Sequence, residues 1–254
     1  MTHADFRARI YGQYVHARET ALAPASIAGL SSRAPYLQRV IREHFPPDRE
    51  ARILDLGCGH GSLVWFARQA GYRYAEGVDR SPEQVAEAQR LGIDGVREGD
   101  LMETLAALPE ASQHVIIAFD VIEHFTRDEL LPFIDAVHRA LAPGGRWLIH
   151  TPNAESPFFG RIRYGDITHE QAFTVTSLNQ LLRASRFADV RCFEDTPVVH
   201  GAASAVRWLV WKLVRAMLRA YLIAETGSPG SGVLSQNMLA VAVKDGASPA
   251  PRDG

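Results

Sequence analysis

The stretch Ile53–Gly61, "ILDLGCGHG", decides the fold. Apolar residues surround Asp55, and glycines then occupy every second position at Gly57, Gly59 and Gly61. Glycine loses more conformational freedom on folding than any other residue, so three glycines in such a short stretch must serve a purpose. They indicate a backbone that turns tightly and that something else approaches closely. The stretch therefore predicts a buried strand followed by a ligand-binding turn.

The composition favours one globular α/β domain, which we predict to span residues 1–245. The formal charge of −2 argues against binding to nucleic-acid phosphates, which needs a strongly basic surface. Cys58 and Cys192 are too few and too far apart for a disulfide framework or a zinc site. The charged N-terminus does not resemble a secretory signal, and no long uncharged apolar run is present. These features predict a cytoplasmic protein.

Strand-like and helix-like segments alternate after residue 30, which predicts parallel strands joined by crossover helices on both faces of a sheet. Ser81-Pro82 and the Thr126/Glu129 pair are typical helix starts. Four regions lie outside the alternation: an N-terminal extension (1–30), a long connection (154–176), a helical insertion (195–236) and a polar tail (246–254) that we predict to be disordered.

The glycine-rich turn has two possible ligands. A dinucleotide site has the spacing G-x-G-x-x-G, whereas this chain has G-x-G-x-G. Asp55 precedes the turn by two residues, and its carboxylate would repel a pyrophosphate but attract a cationic amino group. The turn therefore favours a ligand with an amino group over NAD.

"LDLGCGHG" resembles the first motif of the class I S-adenosylmethionine-dependent methyltransferases. The resemblance implies a Rossmann-like seven-stranded mixed sheet whose last strand is antiparallel, with S-adenosylmethionine as cofactor. It implies that Asp55 binds the cofactor's amino group, that Asp79 binds the ribose hydroxyls and that Asp100 lies near the adenine. The full set of implied cofactor residues is Asp55, Gly57, Cys58, Gly59, Gly61, Asp79, Arg80, Asp100, Leu101, Phe119 and Asp120.

The segment "DVIEH" after the fourth predicted strand resembles the ubiquinone-biosynthesis O-methyltransferases, in which a comparable acid-and-histidine cluster can hold a divalent metal. A hydroxyl acceptor needs a general base or a metal to remove its proton. We expect His124 or His169 to be the base, and Glu123, Tyr164, Asp166 and His169 to contact the acceptor. The alternative is that Glu123 and His124 only cap the following turn. The need for a metal stays open.

The segment "YGDITHEQAFTVTSL" resembles a pattern in bacterial small-molecule and glycan methyltransferases. The resemblance implies that residues 154–176 form a substrate loop. Phe158, Phe159 and Tyr164 provide aromatic surface suited to stacking on sugar or aryl rings. Equally, these three side chains can be core anchors of the loop.

Residues 205–225 read as an apolar helix with a basic stripe formed by Lys212, Arg215 and Arg219. Such a helix can lie at a membrane surface, for example the inner membrane face, with Trp208, Trp211 and Leu218 in contact with lipid. It can also be a cap helix or a dimer contact whose apolar side is covered by protein.

These features together predict an S-adenosylmethionine-dependent O-methyltransferase acting on a small molecule or on a sugar in a glycan or glycolipid. One alternative acceptor is a quinone precursor or another aromatic compound. An alternative of a different class is a non-catalytic module that binds S-adenosylmethionine and docks to a partner. The Asn/Asp-Pro-Pro-Tyr signature of nucleic-acid amino-group methyltransferases is absent after the fourth strand, so we do not expect a nucleic-acid substrate.

Overall fold

The computed structural model describes residue 9 and residues 21–246. Within these residues, seven strands form one sheet: β1 (Ile53–Leu56), β2 (Ala75–Asp79), β3 (Val96–Glu98), β4 (Gln113–Phe119), β5 (Leu141–Pro152), β6 (Phe187–Glu194) and β7 (Asn237–Lys244). Their spatial order is β3-β2-β1-β4-β5-β7-β6. Adjacent strands from β3 to β5 are parallel, and β7 is antiparallel to both β5 and β6, as predicted.

Helices connect the strands, and their starts follow the expected local chemistry. Ser81 accepts a hydrogen bond from the Gln84 amide, and Thr126 and Glu129 form a reciprocal capping box, which confirms both predicted starts. The helices are α1 (Ala34–His44), α2 (Ser62–Gln69), α3 (Pro82–Arg90), α4 (Leu101–Ala107), α5 (Arg127–Ala140), α6 (Phe159–Arg163), α7 (Val175–Ala184) and α8 (Ala202–Thr226).

Both faces of the sheet are buried, because successive residues of a strand point to opposite sides. Ile116 and Ala118 of β4 pack in one apolar cluster with α5 and α7, whereas Val115 and Ile117 pack in a second cluster with α1 and α2. The helices therefore cover the two faces and leave the carboxyl ends of the strands for a ligand site.

The boundaries of two segments differ from the sequence prediction. β5 is longer than the predicted "RWLIHT", because Leu141 already pairs with Gln113 before the Pro143-Gly144-Gly145 turn interrupts the register. The long connection, predicted without regular structure, contains the short helix α6 and is closed by a bridge between Asn153 and Phe173.

The predicted helical insertion is the 25-residue helix α8, between β6 and β7. Among the described residues, none of the helices combines the length and apolarity that a bilayer crossing requires. The predicted N-terminal extension falls within the description only at residue 9 and from residue 21, and the predicted tail lies outside it beyond residue 246. The single domain over residues 1–245 stays a prediction.

Candidate active site

The three glycines after β1 all adopt left-handed backbone conformations, with φ of +72° at Gly57, +56° at Gly59 and +79° at Gly61. A Cβ atom on Gly57 would lie 2.7 Å from Cγ2 of Val121, and one on Gly61 would clash with Cγ2 of Val96. A Cβ on Gly59 would meet nothing closer than 3.6 Å. The first and third glycines are therefore required by the packing of the turn itself, whereas the middle one is required by its backbone conformation alone.

Asp79, at the end of β2, holds the glycine turn in place. Its Oδ2 accepts a hydrogen bond from the Gly59 amide at 2.7 Å, and its Oδ1 accepts one from the Ser81 amide at 2.9 Å. Burial raises the pKa of Asp79, while these amide bonds act in the opposite direction. The carboxylate therefore connects the first two strand-end loops of the site.

Asp55 is buried within β1, beside Asp79. Burial, and then the negative charge of Asp79, raise the pKa of Asp55 to about 8. A cationic amino group close to this carboxyl would favour its ionised form and offset both effects. The position is thus chemically suited to bind an ammonium group.

The other predicted cofactor residues also lie at the carboxyl ends of β1 to β4. Asp100 is the N-cap of α4, where its Oδ1 accepts hydrogen bonds from the amides of Met102 and Glu103 at 2.8 and 3.2 Å. Arg80 is exposed, whereas Cys58, Leu101 and Phe119 are half-buried. The structure therefore brings the whole predicted set to one edge of the sheet; direct contact with the cofactor stays a prediction.

Asp120 belongs to a charged cluster at the ends of β4 and β5 that the sequence analysis missed. Its Oδ1 lies 2.7 Å from Nδ1 of His150, and Nε2 of His150 lies 3.4 Å from Oδ2 of Asp195. Burial disfavours the imidazolium, but the charges and hydrogen bonds of the two carboxyl groups outweigh it and raise the pKa of His150 to about 10. His150 is therefore a buried cation at neutral pH.

Tyr36 of α1 and Arg33, which immediately precedes that helix, act on this cluster. The ring of Tyr36 lies edge-on to His150, with the ring centroids 6.3 Å apart, and burial followed by the charge of Asp195 raises the tyrosine pKa. The positive charge of Arg33 acts on both Asp55 and Asp120. In the sequence, this cluster could have been recognised from the ionisable residues at two strand ends, His150 on β5 and Asp195 after β6.

A second cluster brings together Glu123, His124 and His169, whose ligand atoms lie within 4.8 Å of one another. The first two form the short turn after β4, and His169 comes from the 154–176 loop. The backbone oxygen of Glu123 accepts hydrogen bonds from the amides of Glu170 and Gln171, at 2.7 and 2.9 Å. These bonds fasten the loop to the end of β4, so the two histidine rings lie 4.9 Å apart.

Glu123 and His124 do not cap the next helix, because Thr126 and Glu129 fill that role. The Glu123 carboxyl is buried and accepts a hydrogen bond from Oγ1 of Thr151 at 3.1 Å. Burial, and then the charge of Asp120, raise its pKa to about 8. The structure therefore excludes a capping role at the next helix, and a chemical role for these two residues stays a prediction.

The hydrogen-bond network assigns the tautomer of His124. Oγ1 of Thr168 lies 2.6 Å from Oδ1 of Asp166 and 2.9 Å from Nδ1 of His124. The single hydroxyl proton is donated to the carboxylate, so Nδ1 of His124 carries a proton and donates to Thr168. Nε2 is then the unprotonated nitrogen of the ring. Burial, and then the neighbouring His169, lower the pKa of His124, so this ring is neutral at pH 7.

The same three donors fit a divalent cation. Two imidazoles and a carboxyl group are suitable ligands for transition metals. Among the described residues, the buried Nδ1 atom of His169 has no hydrogen-bond partner. A bound cation would also favour the ionised form of Glu123. The cluster could therefore serve either as a proton acceptor or as a metal site.

The aromatic residues of the 154–176 loop differ in burial. Phe158 and Tyr164 are 59% and 79% exposed, so they are not core anchors. Phe159 is half-buried at the start of α6. The guanidinium of Arg163 lies 5.4 Å from the Tyr164 ring centroid. Asp166 accepts hydrogen bonds from the amide and the hydroxyl of Thr168, and its contact with the acceptor stays a prediction.

The arrangement of acids and glycines at four neighbouring strand ends agrees with the comparisons with known proteins. A model of the methyltransferase domain matches residues 30–191. The chain belongs to the methyltransferase-domain family. A probable S-adenosylmethionine-dependent methyltransferase of Mycolicibacterium smegmatis is 32% identical over 155 residues, 60% of this chain and 57% of that protein. The trans-aconitate 2-methyltransferase of Mycobacterium tuberculosis is 34% identical over 122 residues, 46% of this chain and 43% of that enzyme.

A solved methyltransferase structure from Archaeoglobus fulgidus has the same fold, with a TM-score of 0.61 at 20% identity, covering 84% of this chain and 94% of that one. The resemblance noted in Ile53–Gly61 is confirmed, and S-adenosylmethionine is the cofactor that this methyltransferase family uses. The chain spans about half the length of the curated relatives it matches.

Proposed function

We propose that this methyltransferase transfers a methyl group from S-adenosylmethionine to a hydroxyl oxygen of a small molecule, or of a sugar in a glycan or glycolipid. The observation that supports this proposal is the neutral, half-buried His124, whose Nε2 can accept a proton beside the end of β4. A hydroxyl acceptor needs such a base, because its proton must leave as the new bond forms.

The cofactor, when bound, supplies a methyl group on a positively charged sulfur. Asp55 and Asp79 would hold the cofactor and orient it toward the acceptor oxygen. The cofactor would give its methyl group to that oxygen and leave with the electron pair of the broken sulfur–carbon bond. The hydroxyl proton passes to Nε2 of His124. Thr168 and Asp166 act as positioning residues, because they keep the other ring nitrogen protonated.

Calorimetric titration with S-adenosylmethionine tests the cofactor site. We expect micromolar binding that is lost in Asp79→Ala, because the variant removes the group that holds the glycine turn. The exposed Asp94→Ala is the matched control and should bind like the parent. NADH should not bind. Binding that is equally strong in Asp79→Ala would contradict the assignment of the site.

Methyl transfer to a panel of hydroxyl acceptors tests the base. His124→Gln should lower kcat by about 10²- to 10⁴-fold. Its affinity for S-adenosylmethionine should not change, and the exposed His200→Gln should behave like the parent. A His124→Gln variant with normal kcat would remove His124 from the reaction. Cofactor binding without turnover on any acceptor would instead favour the non-catalytic module.

The convergence of Glu123, His124 and His169 favours a second candidate, a metal-dependent methylation of a quinone precursor or other aromatic hydroxyl. In this alternative the three residues hold a divalent cation that polarises the acceptor oxygen. A chelator should then abolish turnover, and Mg²⁺ or Mn²⁺ should restore it in the parent but not in Glu123→Gln. Turnover that a chelator leaves unchanged would eliminate this candidate.

A further inference from the structure

Helix α8 has two apolar faces, and only one of them lies against the domain. A narrow stripe of the helix carries half-buried side chains, and there Arg215 forms an ion pair with Glu194 at 2.9 Å. The opposite face is exposed along the whole helix. Its large apolar side chains are between 50% and 62% accessible: Val206, Leu209, Val210, Leu213, Met217, Tyr221 and Ile223. An apolar surface of this length on a monomer marks an interaction site.

Basic residues border the exposed face on both sides. With 100° between successive residues, Arg207 lies along one border, and Lys212 and Arg219 lie along the other. All three are exposed, and the helix contains no acidic residue before Glu225. The chain as a whole has a net charge of −2, so positive charge is concentrated on this helix. The surface is therefore suited to a partner that is both apolar and anionic.

A second copy of the chain is a poorer partner for this face. Pairing two α8 helices in antiparallel fashion would bring Lys212 and Arg219 against the same residues of the other copy. The helix offers no acidic residue there to offset the repulsion.

We propose that the exposed face of α8 docks on an anionic phospholipid bilayer, with the helix lying in the plane of the interface. Leu213 and Met217 enter the boundary of the acyl chains, while Arg207, Lys212 and Arg219 lie at the level of the phosphates. Trp208, Trp211 and Leu218, which the sequence analysis assigned to the lipid contact, are half-buried on the domain side instead. This binding is independent of methyl transfer.

Co-sedimentation with vesicles tests the proposal. The parent should bind vesicles of mixed phosphatidylglycerol and phosphatidylcholine, and bind pure phosphatidylcholine much less. The double variant Leu213→Ser/Met217→Ser should lose at least about tenfold in affinity. Arg207→Gln and Lys212→Gln should each lose about fivefold on anionic vesicles only. The matched control is Tyr74→Ser/Leu131→Ser, which removes two exposed apolar side chains outside α8 and should bind like the parent.

The proposal is overturned if the parent does not bind anionic vesicles, or if the Leu213→Ser/Met217→Ser variant binds them as tightly as the parent does. It is also overturned if the parent forms a dimer in light scattering, the variant is a monomer, and neither binds vesicles. The last result would assign the face to a second copy. Thermal unfolding and S-adenosylmethionine titration of the same samples without vesicles verify that the variants are folded. If the parent does not bind S-adenosylmethionine, the proposed function fails while the proposed lipid contact still stands.

Discussion

The affinity for S-adenosylmethionine should depend on pH through Asp55. This carboxyl has a pKa of about 8 in the free protein, because it is buried beside Asp79. Only its ionised form attracts the amino group of the cofactor, which is positively charged at and below neutral pH. Binding must therefore remove a proton from Asp55, and the proton becomes harder to remove as the pH falls.

The size of the effect follows from the pKa. At pH 7 about one molecule in eleven has Asp55 ionised, so binding should release about 0.9 proton per cofactor. Between pH 7 and pH 6 the ionised fraction, and with it the apparent affinity, should fall about ninefold. Above about pH 9 the affinity should level off with respect to this group.

Calorimetry at several pH values, in two buffers that differ in ionisation enthalpy, measures both the affinity and the proton release. Asp55→Asn should bind weakly and without this pH dependence. Glu123→Gln is the control, because the Glu123 carboxyl also has a pKa of about 8 but lies on the acceptor side. An affinity in the parent that is equal at pH 6 and pH 7, or a full slope in Asp55→Asn, would refute the reasoning.

Further substitutions test the turn, the buried cation and the histidine network. Gly61→Ala should lower the free energy of unfolding by more than about 2 kcal/mol, because the added Cβ would clash with Val96. Gly59→Ala should lower it by about 1 kcal/mol, because there the added Cβ has room and only the backbone conformation is unfavourable. Urea unfolding of both variants measures the difference. His150→Asn should cost about 1–3 kcal/mol at neutral pH. The pKa of His150 rises from 6.5 to about 10 on folding, so the contribution of its charge to the free energy of unfolding is complete below pH 6.5 and disappears as the pH approaches 10. The parent should therefore lose stability between pH 6.5 and pH 10, and His150→Asn should lose less. Thr168→Val should lower kcat about tenfold without changing the affinity for the cofactor, whereas Thr168→Ser should keep the kcat of the parent. A normal kcat in Thr168→Val would show that the hydroxyl does not orient His124.

The cofactor edge could be predicted from the sequence because its determinants are local. Glycines that need a left-handed backbone and acids that end strands are visible within a few residues of each strand. Parallel strands then bring these loops to one edge regardless of the details of packing. The predicted fold is confirmed for this reason, and the two histidine-bearing loops were predicted at the correct edge.

The contacts between loops could not be predicted in the same way. His150 meets Asp120 because β4 and β5 are neighbours in a particular register, and Asp195 joins them from the end of β6. The orientation of α8 could not be predicted either, because apolar residues lie all around the helix and the sequence does not show which face packs against the domain. The backbone conformation of Asp120 could not be predicted either, since its φ of +56° is one that glycine usually adopts.

The 154–176 loop is fastened at both of its ends by backbone hydrogen bonds, and its Asp166–Thr168 part is also bonded to His124. The Ala154 amide donates to the Phe173 carbonyl at 2.8 Å beside the Asn153–Phe173 bridge, and the Glu170 and Gln171 amides bind the Glu123 carbonyl. All of these bonds use backbone atoms, so they do not depend on which side chains the intervening residues carry. The part of this segment before Asp166, which carries the exposed Phe158 and Tyr164, can therefore be exchanged as a unit. Evolution, or a protein engineer, can redirect such an enzyme to a new acceptor while leaving cofactor binding and the sheet untouched.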